Sequence, residues 1–164
     1  MTPTHTPTQT YLMGNVSVVD TSSIFVINDS ARKLDYRFTV PYAMELNTIR
    51  VRVSSVSGSP LFFAGIYTDD GTAQHRATTS YLTRVSAGVT ANSWSTFDVP
   101  NITLLPGVIY HAVISVDNLY GGSASFYMTN PLHGVYPVDQ RYDPFALTLY
   151  DVFGSWLEFS SMPV

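Results

Sequence analysis

The residues best suited to bind an ion are two adjacent aspartates, Asp69 and Asp70, which precede Gly71. Together with Asp98 or Asp117 they could supply oxygen ligands to calcium, which takes roughly six to eight of them. Adjacent aspartates before a glycine are also typical of a tight turn, in which their carboxylates accept hydrogen bonds from nearby backbone amides. The sequence contains no D-x-D-x-D-G loop. The pattern therefore favours the turn and no cofactor, with calcium as the alternative.

The side chains that carry most enzymatic catalysis are few and scattered. The chain has no cysteine, four separated histidines, and two glutamates at Glu45 and Glu158. It has no G-x-S-x-G elbow for a serine nucleophile and no H-x-H or H-x-x-x-H pair for a metal. His111, within a strand-like run, is interpreted as a surface or packing residue. We therefore predict that the chain is not an enzyme.

Aromatic side chains near loops are the stronger functional signal. Sugar rings bind against the faces of Tyr and Trp, and aromatic residues are enriched at binding surfaces. Such rings could instead close the ends of a sandwich or seal subunit contacts. The candidate glycan-binding residues flank glycine, proline and polar positions, and they are Tyr120, Tyr136, Tyr142 and Trp156.

The elements that must position these residues are strands. Apolar and polar residues alternate from Tyr110 to Val116, which is the period of a strand. The turn Leu105-Pro106-Gly107 precedes this run, so we expect a short strand from Trp94 to lead into a long central one. A second apolar strand, residues 61–68, ends at the Asp69-Asp70-Gly71 turn. We predict that the segments 94–116 and 61–71 form the middle of a β-sandwich.

The rest of the chain repeats this pattern without any helical periodicity. In the run at residues 46–53, Leu46 is expected on the same face as Arg50. Residues 130–144, rich in proline, are expected to form a long surface loop. The sequence predicts an all-β fold, an antiparallel β-sandwich of the jelly-roll type. The further strands are expected at residues 16–19, 24–27, 36–40, 80–85, 93–98, 125–128, 145–150 and 156–159.

Composition limits the partners. Only 12% of the 164 residues are charged and the net charge is -4, which argues against nucleic acid because phosphate binding needs clustered cations. No apolar run reaches the roughly 20 residues of a membrane span. The Thr/Pro-rich start lacks the pattern of a signal peptide. We predict an extended arm over residues 1–14 and one sandwich domain over residues 15–164. The arm residues expected to make assembly contacts are Thr2, Pro3, Thr4, Pro7 and Tyr11.

The turn and core motifs resemble a broad group of jelly-roll modules over roughly residues 36–117. The motifs are Val40-Pro41, the strand at residues 49–53, the segment 65–71, the strand at Trp94 and Leu105-Pro106-Gly107. Similar modules occur in tailed-phage virions, as decoration, fibre and tail-associated domains, and as carbohydrate-binding modules of secreted enzymes. The resemblance implies a virion structural protein that forms a homo-oligomer, by analogy a trimer, and that also contacts other virion proteins. The alternative is an extracellular carbohydrate-binding module, and a virion protein that binds host glycans would satisfy both.

Overall fold

A computed structural model describes residues 10–14, 20–28, 33–40, 42–73, 77–117, 121–129, 139–142, 152–153 and 155–161. Within these ranges the chain forms antiparallel β-strands, and no helix there is long and apolar enough to cross a membrane. The strands are β1 (Thr10–Gly14), β2 (Asp20–Ile27), β3 (Lys33–Phe38), β4 (Met44–Gly58), β5 (Leu61–Asp69), β6 (Ala77–Gly88), β7 (Trp94–Leu104), β8 (Tyr110–Asp117), β9 (Gly122–Thr129), β10 (Asp139–Tyr142), β11 (Val152–Phe153) and β12 (Ser155–Ser161).

Eight of these strands form two packed four-stranded sheets with jelly-roll order. One sheet runs β2-β9-β4-β7 and the other β3-β8-β5-β6. The pairs β2·β9, β3·β8, β4·β7 and β5·β6 are all antiparallel, so the chain is one long hairpin, with its tip between β5 and β6, rolled into two layers. This topology confirms the predicted antiparallel sandwich of the jelly-roll type. As predicted, β8 and β5 lie side by side in the middle of their sheet, whereas β7, which was predicted in the middle too, lies at the edge of the other sheet. The strands predicted at residues 16–19 and 145–150 lie outside the described residues.

Short strands extend both sheets. β10 pairs with the free edge of β3. On the other sheet, β12 pairs with the first half of β4, and β1 pairs with the other edge of β12. The prediction that residues 130–144 form only a loop is therefore wrong for residues 139–142. These four residues are Asp-Gln-Arg-Tyr, so backbone pairing at a sheet edge, and not an alternating apolar pattern, defines the strand.

The connection from β7 to β8 crosses from one sheet to the other, and the lengths of these two strands differ from the prediction. The turn at Leu105-Pro106-Gly107 is present, and the Leu105 N–H donates to the Tyr110 hydroxyl at 2.9 Å. However, β7 has 11 residues and β8 has 8, so β8 is not the longer strand. Pro100 does not end β7. In the described sheet β7 is an edge strand with a register shift near this residue, and edges and bulges are where a strand tolerates proline.

The apolar core lies between the two sheets. Phe62 of β5 meets Phe126 of β9 edge-to-face, with 5.3 Å between ring centroids and 78° between ring planes. Leu46 is fully buried in this core, which corrects its predicted position on the face of Arg50. The cause is a bulge: the pairing of β4 with β7 shifts between Leu46 and Thr48, which breaks the strict alternation and lets both Leu46 and Ile49 face inward.

Candidate functional site

The outer face of the β3-β8-β5-β6 sheet carries an unusual set of side chains. Residues directly opposite one another in antiparallel strands share a face, so the register aligns side chains in rows across the sheet. The rows that contain Leu34 and Tyr36 belong to the core. The alternate rows face outward, and they are Lys33-Ser115-Phe63-Ser86, Asp35-Val113-Gly65-Arg84 and Arg37-His111-Tyr67-Tyr81.

A groove of about 480 Å³ lies on this outer face. The residues that line it include Val113, Tyr67, Tyr81, Thr78 and Thr79. This volume falls within the roughly 300–1,000 Å³ of typical small-ligand sites. The groove is therefore large enough for a small polar ligand.

Gly65 keeps the middle of this face open. Gly65 is the β5 residue in the row of Val113 and Arg84. A Cβ atom at this position would lie 2.8 Å from the Thr83 carbonyl oxygen and 3.2 Å from the Tyr67 ring. A strand-interior glycine often marks such a close approach. The missing side chain allows the Tyr67 ring to lean over the strand beside the groove.

Two tyrosines and an arginine form one side of the groove. The Tyr67 and Tyr81 rings meet edge-to-face at 6.2 Å, and the Tyr81 side chain is 55% exposed. The Arg84 guanidinium lies 3.7 Å from the centroid of the Phe63 ring, a cation–π contact that fixes its orientation. Burial raises the pKa of Tyr67, while the charge of Arg84 opposes that rise. The positive charge of Arg84 therefore reaches the groove.

The hydroxyl side of the groove is held by local hydrogen bonds. The Thr78 hydroxyl donates to the Ser80 carbonyl at 2.9 Å and lies 3.2 Å from the Thr68 hydroxyl on β5. These contacts fix the start of β6 against the end of β5. The segment with Thr78 and Thr79 thus has a defined position beside the two tyrosine rings.

A buried histidine links three strands beneath this surface. His111 Nδ1 lies 2.9 Å from both carboxylate oxygens of Asp35, and Nε2 lies 3.1 Å from Oδ2 of Asp69. His111 has no exposed surface, which confirms the packing role among its predicted alternatives. An ionised carboxylate only accepts hydrogen bonds, so both ring nitrogens must donate, and this is satisfied by the imidazolium form.

The pKa of His111 depends on its burial and on the two carboxylates that contact it. Burial alone would lower the pKa, but the hydrogen bonds and charges of Asp35 and Asp69 outweigh it and raise the pKa above its usual value. Both nitrogens are engaged, so neither is available to take a proton from a ligand. The histidine positions strands and is not placed as a general base.

The adjacent aspartates form the turn that the sequence favoured. Asp69 Oδ1 accepts from the Gly71 N–H at 2.8 Å, and Asp70 Oδ1 accepts from the Thr72 N–H at 2.9 Å. The structure does not bring together the predicted calcium set. Asp98 lies in β7 of the other sheet, and Asp117 lies opposite the first residue of β5, at the far end from Asp69. Among the described residues, no three acidic, His or Cys side chains are arranged to hold a metal ion.

Two of the four predicted glycan-binding residues belong to the described structure, and the prediction of a glycan site at the four residues stays a prediction. Tyr120 and Tyr136 lie outside the described residues. Tyr142 lies in β10 opposite Leu34, and Trp156 lies in β12 opposite Arg50, so these two occupy different sheets.

The predicted arm is only partly covered by the structure. Thr2, Pro3, Thr4 and Pro7 lie outside the described residues. Tyr11 lies in β1, which pairs with β12 of the same chain. The domain boundary after residue 14 stays a prediction.

The groove itself was not predicted. Its residues come from β3, β5, β6 and β8, and only the register of these strands reveals that Lys33, Tyr67, Tyr81 and Arg84 share a face. One sequence signal was present: Gly65 interrupts an apolar strand, a pattern that often marks a close approach of backbone and ligand.

Comparisons with known proteins do not identify the chain: no protein-family model matches it, and no curated protein is similar in sequence. The interpretation of the groove therefore rests on its own geometry. Flat aromatic rings, hydroxyls and charged groups on a rigid sheet are suited to hold a polar ligand by stacking and hydrogen bonding.

Proposed function

We propose that this chain is a non-catalytic carbohydrate-binding protein whose ligand lies in the groove on the β3-β8-β5-β6 sheet. The observation that carries the proposal is the pairing of Tyr67 and Tyr81 with the hydroxyls of Thr78 and Thr79 in one groove. A sugar has apolar ring faces and a hydroxyl rim. Tyrosine rings match the faces, and threonine hydroxyls match the rim.

The groove also has the rigidity that sugar binding requires. The residues that line it belong to the paired strands β3, β5, β6 and β8, and the contacts of His111 link β3, β8 and β5. A preformed site loses little conformational entropy when it binds a ligand. This supports a binding role.

A glycan array tests the proposal directly. We expect the wild-type chain to bind a subset of glycans, and Tyr81→Ala to lose that binding because it removes an exposed stacking ring worth about 1 kcal/mol or more. Tyr42→Ala is the matched control, since Tyr42 is also exposed, at 43%, but is not part of the groove lining. The melting temperature of both variants should match that of the wild type. Binding that survives in Tyr81→Ala would contradict the proposal.

The second candidate is a virion structural subunit, and the free edge of β6 favours it. In the described sheet β6 pairs only with β5, and its Leu82 side chain is 48% exposed. An exposed edge strand with an apolar side chain is a natural template for pairing with another chain. A homo-oligomer, such as a trimer within a phage particle, could form through this edge while its grooves bind glycans on a host.

A further inference from the structure

We propose that the ligand of this groove is an acidic oligosaccharide, whose anionic groups are bound by Lys33 and Arg84. This inference rests on the proposed carbohydrate-binding function and adds the class of sugar. The chain carries a net charge of -4, yet two of its eight basic residues line this one groove. The local charge is therefore opposite to that of the chain as a whole.

Both cations are available to a ligand. Among the described residues, neither the Lys33 ammonium nor the Arg84 guanidinium has a hydrogen bond or ion pair with a carboxylate. The Arg84 guanidinium lies against two aromatic rings, 3.7 Å from the centroid of the Phe63 ring and 6.0 Å from that of the Tyr81 ring. A guanidinium stacked in this way keeps its N–H edge free, and that edge matches the two oxygens of a carboxylate or sulfate group.

The acidic residue of the groove does not cancel this charge. Asp35 also lines the groove, but both of its oxygens lie 2.9 Å from His111 Nδ1. A carboxylate paired with a buried donor in this way has its charge largely offset. The charges that remain open to a ligand are the two cations.

The spacing of the cations indicates an oligosaccharide. Lys33 lies on β3 and Arg84 on β6, with β8 and β5 between them. Three strand spacings place their backbones about 14 Å apart. One sugar ring is smaller than this span, so each cation would contact a different part of an oligosaccharide. Tyr67 and Tyr81 would then lie beside the sugar rings that join the two anionic groups.

The first test is an array of matched acidic and neutral glycans. The pairs are sialyllactose with lactose, a galacturonate tetrasaccharide with its methyl ester, and a sulfated galactan tetrasaccharide with its unsulfated form. We expect binding to an acidic member and at least tenfold weaker binding to its neutral partner. The pair that responds distinguishes a carboxylate from a sulfate. Equal or better binding to neutral members would overturn this inference but leave the proposed function standing, whereas no binding to any glycan would overturn both.

Variants then assign the anion to its cations. Lys33→Gln and Arg84→Gln should each weaken binding of the acidic glycan by about tenfold, because each removes one charge-assisted contact. Arg52→Gln is the matched control: Arg52 also lies over a tyrosine ring, 5.9 Å from Tyr127, but on the other sheet. Unchanged affinity in both groove variants would overturn the assignment.

Lys33 also provides a direct reporter. It is the only lysine of the chain, so reductive ¹³C-methylation labels this one side chain and the N-terminal amine. We expect the Lys33 methyl signal to shift when the acidic glycan is added and to stay in place with its neutral partner. A signal that does not respond to a bound acidic glycan would exclude Lys33 from the site.

Discussion

The carboxylate of Asp35 and the imidazole of His111 form a buried pair, in which Nδ1 lies 2.9 Å from each carboxylate oxygen. The pair joins β3 to the central strand β8, on the face opposite the apolar core. Through Nε2 the same ring reaches Asp69 and the turn that follows β5. The His111 side chain thus connects Asp35, which lines the groove, to the turn that follows β5.

We expect the stability of the fold to fall as the pH rises through the raised pKa of His111. The pKa is raised above its usual value of 6.5, so folding favours the protonated ring. That contribution is complete below about pH 6.5 and is lost above the folded-state pKa. The other ionisable groups on this face are Lys33, Asp35, Arg37, Tyr67, Asp69, Tyr81 and Arg84. Urea denaturation between pH 5.5 and 8.5 should show the decline, and His111→Gln should flatten it. Equal pH slopes in both proteins would contradict this role.

Removal of the buried Asp35 carboxylate should be strongly destabilising. Asp35→Ala leaves the His111 ring without its main partner, and breaking a buried ion pair in this way costs about 3 kcal/mol or more. Asp70→Ala is the control, because Asp70 is exposed and its carboxylate accepts hydrogen bonds from Thr72 in the same turn. We expect the control to cost about 1 kcal/mol or less. Similar losses in the two variants, measured by urea denaturation, would show that the buried pair has no special role.

Gly65 should not tolerate a side chain. In Gly65→Ala the new methyl group would lie 2.8 Å from the Thr83 carbonyl oxygen, and overpacking of this kind costs about 1–3 kcal/mol. Gly88→Ala is a matched control, since Gly88 also lies in this sheet and its added Cβ would meet nothing within 4 Å. Chemical denaturation should separate the two variants. Equal stability of Gly65→Ala and the wild type would show that the strands part easily at this point.

The edge of β6 should decide the oligomeric state. Leu82→Glu places a charge on the exposed edge strand β6. A charged side chain on an edge strand prevents that strand from pairing with a strand of another chain. If the virion subunit candidate is correct, light scattering should show an oligomer for the wild type and a monomer for Leu82→Glu. A version without residues 2–12 tests the predicted arm in the same assay. A wild-type monomer would contradict this second candidate.

The sequence predicted the fold well where side chains alternate. The strands around Ile49 and Tyr110 were both found from alternating side chains, although His111 and Val113 on the second face of β8 are buried as well. Leu46 was misplaced because a bulge changes the alternation, and the strand at residues 139–142 was missed because its residues are mostly polar. Backbone pairing defines both features, and it leaves no periodic signal.

The site was much harder to predict than the fold. His111 is 76 residues from Asp35 and 42 from Asp69, so their contact depends on strand register alone. Tyr67 and Tyr81 meet through the same register. The predicted glycan-binding residues, such as Tyr120, were chosen near predicted loops because loops often carry function, whereas the residues of the groove lie on strands.

The most direct test of glycan binding is a map of the contact surface by amide NMR. The wild-type chain would be titrated with the glycan that the array identifies as its best ligand. We predict that the largest shifts occur at Thr78, Tyr81, Val113 and Ser115, which line the groove. Shifts confined to the β2-β9-β4-β7 sheet, or to the segments that contain Tyr120 and Tyr136, would contradict the groove as the binding site.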